Sequence, residues 1–130
     1  MMTVLVIDDH EYMRVLLRSH LEALGCRVVE ACDGVGGLQV LERGGIDMLV
    51  TDILMPGDIE GIEVIATARE HDPELPIIAI SAGGKARAAG YLDTALALGA
   101  TASLGKPFSR QDLVEVVRGL FPERTFAAGC

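Results

Sequence analysis

The chain alternates five times between short continuous apolar runs and stretches whose apolar residues recur at helical spacing, and few folds accept that pattern. Val4-Leu5-Val6-Ile7, Met48-Leu49-Val50-Thr51 and Pro76-Ile77-Ile78-Ala79-Ile80 are short, mainly apolar runs rich in β-branched residues, as expected of strands buried on both faces. Arg27-Val28-Val29-Glu30-Ala31 is shorter and more polar, which suits a sheet edge, and Thr101-Ala102-Ser103-Leu104 is a weak fifth strand. Between these runs, Met13, Leu16, Leu17, Leu21 and Leu24 predict a first helix closed by Gly25. Asp33 is placed to cap a second helix through Leu38 and Leu41, weakened by Gly34, Gly36 and Gly37. Ile62, Ile65 and Ala68 predict a third, stopped at His71-Asp72-Pro73; residues 85–98 a fourth; and Ser109 to Asp112 the capping box of a fifth, with Leu113, Val116, Val117 and Leu120 on one stripe before Pro122.

Such alternation predicts an α/β, three-layer, doubly wound sandwich with a five-stranded parallel sheet and right-handed crossovers. With 130 residues, half of them hydrophobic, the chain is long enough for one domain with a real core. Two Tyr, three Phe and no Trp leave that core to Leu, Val, Ile and Ala. We assign 1–122 to the domain and 123–130 to a short frayed tail. A net charge of −8 argues against direct binding to nucleic acid or anionic membrane. Cys26, Cys32 and Cys130 never form CxxC and read as reduced thiols, Cys26 and Cys32 packed inside and Cys130 loose at the end. With no apolar run of membrane-spanning length and no leader pattern, the expected location is cytoplasmic.

Open sheets of this kind bind ligands beyond the carboxyl ends of their strands. Asp8 and Asp9 follow the first strand, Asp52 the third and Ser81 the fourth, and Lys106 lies just past the fifth. Acids gathered at one point repel unless a cation joins them, which suggests a hard divalent metal; a lysine and a hydroxyl opposite suggest a phosphoryl group. Asp9 is also placed to cap the first helix. His10 and His71 read as solvated residues at helix ends and His20 as a partly buried core histidine; no Cys or His pair has metal-ligand spacing.

Val4-Leu5-Val6-Ile7-Asp8-Asp9, Thr51-Asp52-Ile53-Leu54-Met55-Pro56, Ser81-Ala82, Gly99-Ala100 and Lys106-Pro107-Phe108, in that order over residues 3–121, resemble the receiver domain of bacterial two-component response regulators, the chemotaxis-regulator-like family. The resemblance implies a flavodoxin-like sheet of order 2-1-3-4-5. It implies that Asp52 accepts a phosphoryl group from the phosphohistidine of a sensor kinase or phosphotransfer protein. By the same resemblance Asp8, Asp9, Asp52 and the backbone carbonyl of Leu54 hold Mg²⁺, for which Mn²⁺ substitutes. Ser81 and Lys106 would engage the phosphoryl oxygens, Ala82 would leave the pocket open, and the bond between Lys106 and Pro107 would be cis. Output would pass by protein–protein contact from the face of the fourth helix, fifth strand and fifth helix, the chain being a monomer or weak dimer and a phosphoacceptor switch rather than an enzyme.

Three features depart from the family. Ser103 stands where an aromatic switch residue is usual, with Tyr91 the nearby tyrosine; the Met55 to Gly61 loop is one residue longer than usual; and the stretch from Ser81 to Gly99 is longer and opens with Gly83-Gly84, predicting a mobile segment. One alternative is a receiver cut from a longer DNA-binding or enzymatic regulator. Another is an aspartyl-nucleophile phosphatase, which needs an Asp-x-Asp pair on the first strand where this chain has adjacent Asp8 and Asp9. A third is a binding-only module of the same shape, which Ser103 keeps open.

Overall fold

The computed structural model describes residues 1–53, 61–81 and 93–126, over which strand and helix alternate. β1 spans Thr3–Ile7, α1 Glu11–Ala23, β2 Arg27–Ala31, α2 Gly34–Arg43, β3 Met48–Asp52, α3 Gly61–His71 and β4 Ile77–Ser81. Residues 93–98 are helical and are termed α4; β5 (Ala102–Gly105) and α5 (Arg110–Leu120) follow. All strand pairings are parallel and their order is β2-β1-β3-β4-β5, the doubly wound arrangement expected from the sequence.

Alternating side chains of the central strands feed two cores. Val4, Val6, Val50, Ile78 and Ile80 meet Leu17 and Leu21 of α1 and Leu113 and Val117 of α5. Leu5, Ile7, Leu49, Ile77 and Ala79 meet Leu41 of α2, Val64 and Ile65 of α3, and Ala95 of α4. Burial on both faces explains the continuous apolar runs, and each fully buried isoleucine contributes about 1.5–3 kcal/mol.

Local signals set the helix ends. Gly25, at φ 91°, closes α1: its N–H donates to Glu22 and that of Cys26 to Leu21, the paired bonds of a Schellman motif. The Asp33 carboxylate accepts from the Gly36 N–H, and Ser109 and Asp112 exchange the two bonds of a capping box. Gly37 of α2 serves packing, since a Cβ there would lie 2.8 Å from Ile7 Cγ1. The Ile7 side chain occupies that space, so a Cβ at Gly37 would have to displace it.

Four expectations need correction. His10, not Asp9, occupies the N-cap of α1 and makes no side-chain cap bond. Cys26 is buried but Cys32 is exposed, because β2 ends at Ala31 and the chain turns outward towards the Asp33 cap. Residues 123–126 do not fray: Phe126 packs on the α1–α5 core and meets Phe121 edge-on at 6.4 Å, while Arg124 lies 5.9 Å from the Phe121 ring centre. Pro76 precedes β4 instead of opening it, its carbonyl accepting from Leu49 N–H. The expectations for Leu54, the Met55 to Gly61 loop before Gly61, Ala82, Gly83-Gly84, the first part of the fourth helix, Tyr91 and Cys130 fall outside the described residues.

Candidate functional site at the carboxyl edge of the sheet

Parallel register brings the polar residues level with one another. Ile7 pairs with Thr51, so Asp8 stands beside Asp52 one step further on. Asp52 pairs with Ile80, placing Ser81 one residue beyond, and Ser81 pairs with Gly105, directly before Lys106. Ladder bonds continue past the strand ends: Asp8 N–H donates to Ala31 O at 3.2 Å, Ile53 N–H to Ile80 O at 3.0 Å and Lys106 N–H to Ser81 O at 2.7 Å. The site's backbone is therefore as fixed as the sheet beneath it. Gly61 adds a constraint that sequence reasoning missed. At the start of α3, a Cβ there would run into the Asp52 carbonyl oxygen.

Asp8, Asp52 and Ser81 are nearly or fully buried, at 1%, 4% and 0% exposure. Lys106 Nζ bridges the two acids, 3.0 Å from Asp52 Oδ2 and 3.2 Å from Asp8 Oδ2. Burial opposes the ammonium's charge, but the hydrogen bond and charge of Asp52, then those of Asp8, outweigh it and raise the pKa above the ordinary lysine value. Lys106 is thus a fixed cation. The Lys106–Pro107 bond is cis.

The other side of Asp8 carries a second set of contacts. Its Oδ1 accepts the His10 N–H at 2.9 Å, and its carbonyl accepts from Arg14 Nη1 at 2.8 Å. Arg14 Nε also reaches Glu30 Oε1 at 3.2 Å, and Arg18 Nε holds Glu30 Oε2 at 2.6 Å, tying α1 and β2 to the turn that presents the acids. Neither arginine was singled out from the sequence, although Arg14 lies one helical turn beyond His10 and so at the same end of α1. Asp8, Asp9, His10 and Asp52 each offer a ligand atom, all within 4.8 Å of one another. Asp9 Oδ1 is shielded from solvent yet receives no hydrogen bond, His10 Nδ1 at 3.2 Å lying outside donor geometry. A shielded, unsatisfied carboxylate oxygen beside two buried acids is the donor set a hard divalent cation fits.

Ser103, paired with Ala79 in β5, is partly buried. His20 is partly buried, as expected, and its pKa is lowered, chiefly by burial and further by the Arg110 charge. His71 is exposed. No helix among the described residues is long and apolar enough to cross a membrane.

A doubly wound parallel sheet gathers three acids and a lysine at the carboxyl ends of its strands. Residues 4–118 match the response regulator receiver domain, and the chain belongs to that family. It is 34% identical to the chemotaxis protein CheY of Pseudomonas aeruginosa over 123 residues, covering 92% of this chain and 96% of CheY. The response regulator MprA of Mycobacterium leprae is 36% identical over 121 residues, covering 92% of this chain but only 50% of MprA. A putative response regulator from Chloroflexus aurantiacus superposes with a TM-score of 0.84 at 31% identity, over 94% of this chain and 98% of that one. Several relatives are much longer: the matched region is 7% of the sensor protein EvgS of Escherichia coli and 44% of the transcriptional regulatory protein TrcR of Mycobacterium tuberculosis. The chain is thus a receiver domain of two-component signalling.

Proposed function

We propose that this receiver accepts a phosphoryl group on Asp52 from the phosphohistidine of a sensor kinase or phosphotransfer protein, and signals by contact with a downstream protein. The observation that carries the reading is the convergence of Asp8, Asp9, Asp52 and Lys106 from three separate strand ends. In the transfer, an Asp52 carboxylate oxygen forms the new bond to phosphorus as the phosphorus–nitrogen bond breaks, and the electron pair leaves with the donor imidazole. Lys106, whose charge is fixed by Asp52 and Asp8, stabilises the negative charge spread over the phosphoryl oxygens. In this reading the Ser81 hydroxyl, one residue beyond the register partner of Asp52, donates to a phosphoryl oxygen. The hydrogen-bonded ladder at these strand ends supports the orientation of the acids and the lysine.

Asp8, Asp9 and Asp52 would hold Mg²⁺ or Mn²⁺, together with the Leu54 carbonyl that the family resemblance suggests. When bound, the ion offsets repulsion between the acids and the incoming phosphoryl group. The domain acts as a switch with one acceptor site, operating in the cytoplasm, and the face of α4, β5 and α5 passes the signal on. With Ser103 in β5, that coupling proceeds without an aromatic ring at this position. The reading is tested by incubating the protein with acetyl phosphate and Mg²⁺ and recording its intact mass. One phosphoryl group is expected, absent in Asp52→Asn; an unmodified wild type would overturn it.

A further inference from the structure

The imidazole of His10 sits in the acid cluster. Its Nδ1 lies 3.2 Å from Asp9 Oδ1 and 3.4 Å from Asp8 Oδ1. In an octahedral shell of about 2.1 Å radius, neighbouring ligands are about 3 Å apart. Both separations therefore approximate an edge of one coordination octahedron, and the four donor atoms of Asp8, Asp9, His10 and Asp52 fall within 4.8 Å. The imidazole makes no hydrogen bond to Asp9, whose shielded Oδ1 receives none, and both carboxylates lie within ion-pair distance of the ring. Nor does it cap the helix: His10 is the N-cap residue but its side chain makes no cap bond. What holds it there is the backbone, since the His10 N–H donates to Asp8 Oδ1 at 2.9 Å and the His10 carbonyl accepts from Arg14 at the start of α1. With 70% of its side chain exposed, the ring can reorient by rotamer change without disturbing the core.

We propose that His10 is an inner ligand that biases this site towards first-row divalent transition ions over magnesium, an inference that rests on the metal-binding reading above. The chemistry follows from ligand type. Imidazole nitrogen suits transition ions, whereas magnesium demands hard oxygen donors and keeps its waters. An acid-only site separates the two classes weakly. Adding one nitrogen donor strengthens binding of the transition ion and leaves magnesium held by the carboxylates as before.

The test titrates Mn²⁺ and Mg²⁺ separately into the full chain, His10→Ala and His71→Ala, with electron spin-echo spectra of the Mn²⁺-loaded proteins. His10→Ala retains the backbone bond to Asp8 and removes no cap. The expected result is a loss of roughly tenfold or more in Mn²⁺ affinity in His10→Ala against a much smaller change for Mg²⁺. Nitrogen modulation should appear in wild type and His71→Ala and vanish in His10→Ala. If wild type binds both ions without nitrogen modulation, or His10→Ala weakens both equally, His10 is no ligand while the acid site stands. If wild type binds neither ion, the metal-binding reading fails first and takes this inference with it.

Discussion

Lys106 and Asp52, 54 residues apart in the chain, meet at 3.0 Å between Nζ and Oδ2, and the same ammonium reaches Asp8 at 3.2 Å. One cation thereby pairs with two nearly buried acids and offsets part of their mutual repulsion.

Replacing that cation should expose the repulsion it suppresses. Lys106→Met is expected to lose about 2–4 kcal/mol without metal, comparable to breaking a buried ion pair. Added Mg²⁺ should restore part of the loss, so its stabilising increment in thermal melts should exceed that of wild type. The Lys106 contribution also has a pH signature. Because its pKa is raised above 10.5 in the folded state, the stabilisation is fully present below that pH and is lost as pH rises through the raised value. Alkaline denaturation of Lys106→Met should lack this component.

At the acid end, His20 should supply a slope of its own. Its folded pKa lies below the ordinary 6.5, so the stability from a neutral ring is present above pH 6.5 and is lost as pH falls through the depressed value. Chemical denaturation of His20→Gln across this range should show a shallower decline than wild type. Equal slopes would mean the ring's burial carries no weight.

Gly61→Ala should strike the site through the backbone. The new Cβ would meet the Asp52 carbonyl, a contact no rotamer relieves, at a cost of about 3 kcal/mol or more. Phosphorylation of Asp52 should slow as well. Gly37→Ala meets only the flexible Ile7 side chain and should cost about 1–3 kcal/mol, relieved in part by Ile7→Val in a double-mutant cycle.

The thiols report on packing. In a Cys130→Ser background, Cys32 should react quickly with an aromatic disulfide reagent and Cys26 only on unfolding. Cys26 is buried and its pKa is raised by that burial, an effect only partly offset by Arg124. Fast labelling at both positions would contradict the packing of the 121–126 turn near Cys26.

The sheet was legible because Val4 to Ile7, Met48 to Thr51 and Ile77 to Ile80 are buried on both faces, which only apolar runs survive. Asp8, Asp9, Asp52, Ser81 and Lys106 were legible because each follows such a run, and a parallel sheet brings strand ends together. The roles of Gly37 and Gly61 were not, since a glycine that permits close approach looks the same as one that weakens a helix. His10 is the exposed N-cap residue of α1, as the solvated helix-end reading expected, but its nearness to the carboxylates was not legible, because only the turn before α1 brings its nitrogen to them. Phe126 was hidden by its polar neighbours, although the aromatic contact with Phe121 holds the end of the described chain against the core.

The account stands most directly on the identity of the acceptor atom. Borohydride reduction of the protein after treatment with acetyl phosphate and Mg²⁺ converts an acyl phosphate to an alcohol, which peptide mapping can locate. The reduced residue should be found at Asp52 alone, and should be missing when Mg²⁺ is chelated or Lys106 and Asp8 are both replaced by alanine. Reduction at any other carboxylate, or none at Asp52, would contradict the assignment.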